Sequence, residues 1–235
     1  MPKSEAKPVT TTRFCLVETA AISRRRMVGL AAAGIPALTL ATHAARAAWH
    51  SQDISGVFPP LDLSMMDANT GKPVTASNFR GKIVLLYFGY TLCPDFCPTT
   101  LTNLADVLDK LGALASQARV LFVTVDPNRD TLDALKGYVK LFAPQIEGLR
   151  GTPDQLAELA RRYRVAYSVT PASNGHPYQV THSSIVFVFD AAGQARLILT
   201  SMSSPKPDID GVAADLRQLI QQAQPSLWQR LLNMV

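Results

Sequence analysis

Cysteine is scarce in this chain, which has three cysteines among its 235 residues. A small fold that is held together by disulfides uses more cysteines and spreads them along the sequence. The scarcity therefore excludes a disulfide framework. Two of the three, Cys93 and Cys97, form a close pair, and an isolated pair of this kind is typical of a working site.

A basic excess is also missing from most of the chain. Residues 1–47 hold seven basic and two acidic residues, whereas residues 48–235 hold sixteen of each. Nucleic-acid binding needs a basic surface, so no nucleic-acid partner is expected. Internal repeats, linkers and low-complexity blocks are absent from the sequence too. Residues 48–235 are therefore predicted to form one domain with a sizeable core, and we expect a monomer.

The first segment has the pattern of a targeting leader. Residues 23–28 read SRRRMV, which resembles the twin-arginine export signal of bacteria, and an uncharged run follows over 27–45. Ala45-Arg46-Ala47 then has the small-x-small form of a cleavage site. We predict a leader over 1–47, cleavage after Ala47 and a periplasmic location for the rest. The alternative is a retained membrane anchor, for which the run is long enough, although it contains Gly29, Gly34, Pro36 and His43.

The hydrophobic periodicity of the remaining residues predicts alternating strands and helices. Apolar runs predict strands, and apolar residues at helical spacing predict helices. In chain order the predicted elements are a strand at 82–88, a helix from Pro98 or Thr99 to Leu114, a strand at 119–125, helices at 130–142 and 153–163, strands at 185–189 and 195–199, and a helix at 208–223. This alternation indicates an α/β sheet with helices on both faces and an antiparallel final strand pair.

The cysteine pair lies between the first predicted strand and the helix that follows it. The positive end of a helix dipole favours the thiolate, which attacks disulfides and binds soft metal ions. Residues four apart share a helix face, so Cys93 and Cys97 can point to the same spot. That geometry suits a dithiolate chelate and also allows a disulfide. A purely structural disulfide in so short a ring would stabilise the fold only weakly.

His182 is the candidate third donor. It lies just ahead of the predicted strand at 185–189, whose start could run beside the central strand and its cysteine turn. An imidazole and two thiolates suit copper in either oxidation state, whereas a closed structural zinc site needs a fourth ligand. A lone histidine is more often solvated than bound to metal, and His50 and His176 are further histidines in predicted loops.

A polar segment follows the second predicted strand, and its carboxylates are further candidates. Asp126 comes at the carboxyl end of that strand, where α/β sheets place their sites. Asp130 and Thr131 can cap the next helix. Capping and turn formation alone are the simpler explanation of the segment.

Taken together, these motifs resemble those of the Sco/SenC family. Residues 87–98, YFGYTLCPDFCP, resemble the family's CxxxCP motif, and residues 123–131, VTVDPNRDT, resemble its D-P-x-R-D-T motif. The sequence GTPDQ at 151–155 and the later His-Ser before a strand also match. The resemblance extends over roughly residues 56–223, and the combination in this order and spacing is highly specific.

The resemblance implies a thioredoxin-like fold, that is, a central α/β sheet with helices on both faces. It implies copper, as Cu(I) or Cu(II), held by Cys93, Cys97 and His182. It further implies delivery of copper to the dinuclear copper centre of cytochrome c oxidase, or preparation of its thiols. The expected partner is the oxidase subunit that carries this centre or another copper chaperone. The chain departs from the family at Thr181, where an Asp often precedes the ligand histidine.

Three functions of the cysteine turn follow as hypotheses. The first is a metallochaperone without turnover. The second is a thiol-disulfide oxidoreductase, with Cys93 as the attacking and Cys97 as the resolving thiol. The third, a thiol peroxidase, rests on fold analogy alone. The amphipathic segment 227–235 is predicted either to pack on the domain as a helix tail or to contact a membrane or an oxidase subunit.

Overall fold

A computed structural model of the chain describes residues 48–173 and 175–224. Short 3-10 helices occupy Ala76–Phe79 and Gly112–Gln117. The strands and helices are, in chain order, β1 (Gln52–Asp53), β2 (Ser64–Asp67), β3 (Lys72–Thr75), β4 (Ile83–Gly89), α1 (Phe96–Leu111), β5 (Ala118–Thr124), α2 (Leu132–Val139), β6 (Ile146–Arg150), α3 (Pro153–Arg162), β7 (Tyr167–Thr170), β8 (Gln179–His182), β9 (Val186–Phe189), β10 (Ala195–Leu199) and α4 (Ile209–Ala223).

A central sheet organises the domain. Its strand order is β1-β10-β9-β4-β5-β6-β2-β3, with β4, β5 and β6 parallel to one another. Strand β9 runs antiparallel to β4 and to β10, which confirms the predicted pairing of the last two strands. Strands β7 and β8 form a separate two-stranded hairpin.

Strand β4 is the middle of the sheet, and all of its residues are buried. This burial explains why its sequence is a continuous apolar run rather than an alternating one. Because successive side chains of a strand point to opposite faces, Tyr87 and its neighbour Leu86 contact different layers. The predicted strand at this position is confirmed.

Helical segments cover both faces of the sheet, as predicted. On one face, the ring of Tyr138 in α2 lies 5.5 Å from the ring of Phe122 in β5. On the other face, Tyr163 directly follows α3 and packs its ring 5.7 Å from Phe187 and 5.4 Å from Phe189. The two faces are distinct because Phe187 pairs with Leu86, whose side chain points away from that of Tyr87.

Strands β1, β3 and β6 and the β7–β8 hairpin were not predicted, so the predicted order of elements was incomplete. Gly148 interrupts the apolar pattern of β6, and the structure gives the reason. A Cβ at Gly148 would lie 3.2 Å from the Cβ of Leu135 in α2, so glycine lets this helix lie close to the strand. Both strands of the hairpin alternate between exposed and half-buried residues, which gives only a weak strand signal.

The helix boundaries agree with the predictions to within a few residues. Helix α1 begins at Phe96, earlier than predicted, and ends at Leu111. Thr152 caps α3 in a capping box: its hydroxyl accepts a hydrogen bond from the Gln155 amide, and the Gln155 side chain accepts one from the Thr152 amide. Local sequence therefore determines this helix start.

Two predicted segments lie outside the described residues, namely the leader over 1–47 and the amphipathic segment 227–235. Within residues 48–173 and 175–224, none of the helices combines the length and apolar character that a bilayer crossing requires.

Candidate metal centre

The two cysteines lie where β4 passes into α1, as the sequence predicts. Cys93 stands in the connecting turn, and Cys97 lies in the first turn of α1. The Cys97 amide donates a hydrogen bond to the Cys93 sulfur across 3.4 Å. Both cysteines are free thiols; Cys97 is fully buried, whereas Cys93 is 9% exposed. The turn therefore leaves Cys93 slightly exposed and buries Cys97 completely.

His182 lies beside these sulfurs although it is far from them in sequence. Its Nε2 atom is 3.2 Å from the Cys97 Sγ atom. Its Nδ1 atom is 3.0 Å from the Ser183 carbonyl oxygen. Because a carbonyl oxygen only accepts, Nδ1 carries the hydrogen, and a neutral ring then has its lone pair on Nε2, facing the sulfurs. The donor atoms of Cys93, Cys97 and His182 all lie within 4.8 Å of one another.

The register of the sheet explains this convergence. Val186, the first residue of β9, pairs with Tyr87 near the end of β4, so the residues just before β9 lie next to the cysteine turn. The rings of Tyr87 and Tyr90 stand edge-on to the imidazole at centroid distances of 6.0 and 5.8 Å. The expectation that the start of this strand runs beside the cysteine turn is confirmed.

The ionisation of the two thiols is strongly asymmetric. A hydrogen bond from Cys97 lowers the pKa of Cys93 to about 3, although burial opposes this effect. The same hydrogen bond, together with burial, raises the pKa of Cys97 well above its usual range. In the metal-free protein at neutral pH, Cys93 is therefore the thiolate and Cys97 the thiol.

The surroundings of the sulfurs differ on their two sides. Tyr87 and Phe122 close the interior side, and both are fully buried. On the outer side, Leu92 and Phe96 flank Cys93, and they are 62% and 56% exposed. The side of the site that carries Cys93 is therefore the side nearer to solvent.

The two carboxylates of the segment after β5 do not face the sulfurs. Asp130 accepts hydrogen bonds from the Thr91 amide (3.0 Å), the Thr91 hydroxyl and the Thr124 hydroxyl (2.6 Å). Asp126 accepts hydrogen bonds from the Arg129 side chain and, at 2.8 Å, from the Tyr178 hydroxyl. Neither carboxylate caps α2, so of the two predicted caps only Thr131 is confirmed, and it accepts from the Ala134 amide at 3.1 Å. Both carboxylates instead accept hydrogen bonds from neighbouring segments and so connect them. The sequence did not reveal this role.

The other two described histidines lie outside this cluster. His50 precedes β1, where its amide donates a hydrogen bond to Asp215. His176 is exposed in the loop of the β7–β8 hairpin. Among the described residues, one group of His, Cys, Asp or Glu side chains has metal-ligand spacing, and it contains His182 alone of the histidines.

Thr181, the departure from the family pattern, faces away from the sulfurs. Its hydroxyl lies 2.7 Å from the hydroxyl of Ser168 across the hairpin. Adjacent strand residues point to opposite faces, so Thr181 and His182 contact different sides of β8. The threonine thus stabilises the hairpin rather than the donor cluster.

Glycine is required at position 89, at the end of β4, because other side chains already occupy the space that a Cβ would fill. A Cβ there would lie 2.5 Å from Phe122 Cε2 and 2.8 Å from Cys97 Sγ. We expect Gly89→Ala to lower the free energy of unfolding by about 1–3 kcal/mol, the usual effect of overpacking, and to shift the buried sulfur. Urea denaturation measures the first effect.

Gly137→Ala is the matched control for this substitution. Gly137 lies within α2, and nothing lies within 4 Å of its Cβ position. The control should raise stability by roughly 0.5–1 kcal/mol because alanine favours the helix. Equal stability of the two variants would contradict the packing described here.

Comparison with known proteins extends the description of the site. The SCO1/SenC family model matches residues 63–221. The mitochondrial SCO2 homologue of Mus musculus is 36% identical over 178 residues, which cover 73% of this chain and 69% of that protein. The chain spans about half the length of the bovine SCO2 and human SCO1 homologues.

Solved structures share the fold. Copper-bound ScoI of Bradyrhizobium japonicum is 33% identical, with a TM-score of 0.60 over 68% of this chain and 98% of that one. BsSco, described as a member of the Sco family of cytochrome c oxidase assembly proteins, is 19% identical, with a TM-score of 0.56 over 72% of this chain and 98% of that one. These likenesses confirm the thioredoxin-like α/β fold.

Proposed function

The chain belongs to the SCO1/SenC family, and we propose on that premise that it binds copper and delivers it during assembly of cytochrome c oxidase. One observation carries the proposal: the sulfurs of Cys93 and Cys97 and a ring nitrogen of His182 lie within 4.8 Å of one another at one end of the sheet. These three side chains are the proposed ligands.

The chemistry of the donor set favours copper over zinc. Thiolates are soft ligands that select Cu(I), and imidazole binds Cu(II) as well, so the set suits both oxidation states. A structural zinc site would need a fourth protein ligand, and the described residues place no further histidine, cysteine or acidic side chain in this group. Copper is here the cargo of the protein.

The burial of the two sulfurs gives an order to ligand exchange. Cys93 is the more exposed of the two cysteines, at 9%, and Cys97 is fully buried. A recipient thiolate would therefore replace Cys93 first, while Cys97 and His182 still hold the ion. The proposed recipient is the copper-bearing subunit of the oxidase, and the proposed source is another copper chaperone.

Copper titration of the purified protein tests this function. We expect one copper per chain, retained against a competing chelator as Cu(I) and visible by electron paramagnetic resonance as Cu(II). Zinc offered at equal concentration should not displace it. A purified protein that retains neither Cu(I) nor Cu(II) would contradict the proposal.

A second function is favoured by the asymmetric thiols, because a thiolate beside a buried thiol is the arrangement of a dithiol reductant. The Cys93 thiolate would attack a partner's disulfide and release one partner thiolate. Cys97 would then give its proton to the released partner thiolate and displace the second partner sulfur, which leaves a Cys93–Cys97 disulfide and a reduced partner. This reaction does not use His182. Disulfide reduction that survives His182→Ala but not Cys93→Ala would favour this function over copper delivery.

The proposed location is the periplasm, reached through the leader over 1–47. Changing Arg24, Arg25 and Arg26 together to lysine should leave the protein uncut and inside the cytoplasm, because the paired arginines are the receptor-read part of such signals. Cell fractionation and intact mass measure both effects. Arg13→Lys is the matched control and should be exported and cut before Ala48. Normal export of the triple variant would contradict the twin-arginine assignment.

A further inference from the structure

The hairpin that carries His182 is a weakly packed part of the domain. Strands β7 and β8 have four residues each, and neither contains a buried residue. Only half-buried side chains such as Tyr167 and Val180 pack against the core. Two-stranded hairpins are marginally stable on their own, so the position of His182 depends on what holds this hairpin to the rest of the protein.

Tyr178, just before β8, makes the polar attachment. Its hydroxyl donates a hydrogen bond of 2.8 Å to the carboxylate of Asp126, which is 1% exposed. The guanidinium of Arg129 lies 3.7 Å from the centre of the Tyr178 ring and also donates to Asp126. One tyrosine thus contacts a buried carboxylate through its hydroxyl and a cation through its ring.

The same loop holds the other half of the candidate site. Asp130, four residues after Asp126, accepts two hydrogen bonds from Thr91, which stands two residues before Cys93. The loop at 126–130 therefore contacts both the cysteine turn and the histidine hairpin. Its position at the carboxyl end of β5, the strand that neighbours β4, lets it reach both segments.

We propose that the contacts of Tyr178 with Asp126 and Arg129 form a latch, which holds the hairpin in place. This latch sets the distance between the His182 imidazole and the Cys97 sulfur. Tyr178 is accordingly a positioning residue: it acts on the ligand through the hairpin and does not touch the metal. The part of this inference that concerns copper rests on the proposed function. The latch itself exists without metal, because all of its contacts are between protein groups.

Loss of the latch should affect the two oxidation states differently. Cys93 lies in the turn after β4 and Cys97 lies in α1, so neither belongs to the hairpin and a loosened hairpin leaves both in place. His182 would then be available in only part of the population, which weakens binding in proportion to that fraction. Cu(II), which needs the imidazole, should be affected more than Cu(I), which two thiolates satisfy.

Tyr178→Phe is the sharpest test because it removes the hydroxyl and keeps the ring. Tyr178→Leu removes the ring contact with Arg129 as well. Tyr167→Phe is the matched control: it makes the same change on the same hairpin, at a residue that is also half-buried. Amide hydrogen exchange of the metal-free protein and Cu(I) and Cu(II) affinities should be measured for all three variants.

For Tyr178→Phe we expect hairpin amides to exchange roughly tenfold faster and Cu(II) affinity to fall roughly tenfold, with Cu(I) affinity unchanged. Tyr178→Leu should show larger effects in the same direction, and Tyr167→Phe should match the unmodified protein. Unaltered exchange in both Tyr178 variants would overturn the latch. Faster exchange with unchanged Cu(II) affinity would overturn the positioning role. If the unmodified protein binds no copper, the proposed function fails, whereas hydrogen exchange still decides the latch.

Discussion

Replacing Cys97 with serine is expected to lower Cu(I) affinity by roughly 1,000-fold, which corresponds to about 4 kcal/mol. The buried sulfur is the donor closest to His182, at 3.2 Å, and its loss leaves one thiolate and one imidazole. A serine hydroxyl has nearly the size of the thiol but is a hard donor that Cu(I) disfavours. Competition with a Cu(I) chelator of known affinity measures the change.

Two further variants make this result specific to the site. Cys93→Ser should lower Cu(I) affinity to a similar degree, because either single thiolate lacks its chelating partner. Cys15→Ser, made in the full-length chain that still carries the leader, changes the one cysteine outside the pair, and we expect its copper affinity to equal that of the unmodified full-length chain. A Cys97→Ser protein that is folded by circular dichroism and binds Cu(I) normally would remove the buried sulfur from the ligand set.

Replacing His182 with alanine is expected to lower Cu(II) affinity by at least roughly 100-fold, because losing a mere hydrogen-bond partner of a metal ligand already weakens binding 10- to 100-fold. The nitrogen hyperfine structure in the electron paramagnetic resonance spectrum should disappear. Cu(I) affinity should fall by less than about tenfold, since two thiolates suffice for this ion. A loss of affinity that is larger for Cu(II) than for Cu(I) is the result that identifies His182 as a copper ligand.

His176→Ala provides the comparison for this substitution. His176 lies on the same hairpin as His182 but is exposed in its loop. Its removal should change neither the affinity nor the spectrum. Tight Cu(II) binding with intact nitrogen hyperfine structure in His182→Ala would show that another group supplies the nitrogen.

The sequence predicted the parts of the fold and site that depend on local pattern. The apolar run of β4, the helix after it and the spacing of Cys93 and Cys97 place both sulfurs at one strand-to-helix turn. The approach of His182 was a hypothesis from sequence, because the strand at 185–189 could run beside β4, and the observed pairing of the two strands confirms it.

What the sequence did not show are contacts between distant residues. The hydrogen bond from Tyr178 to Asp126 joins positions 52 residues apart, and the one from Thr91 to Asp130 joins positions 39 apart. From the sequence alone, capping and turn formation are the simpler explanation of the segment that holds Asp126 and Asp130. Only the fold, which brings the turn, the loop and the hairpin to one end of the sheet, shows that these carboxylates connect segments.

X-ray absorption at the copper edge of the loaded protein tests the central claim most directly, because it counts the donor atoms around the ion. We expect two sulfur scatterers and one imidazole per copper in the Cu(II) form, with the imidazole contribution lost in His182→Ala. A spectrum with fewer than two sulfurs, or an imidazole signal unchanged in that variant, would contradict a site built from Cys93, Cys97 and His182.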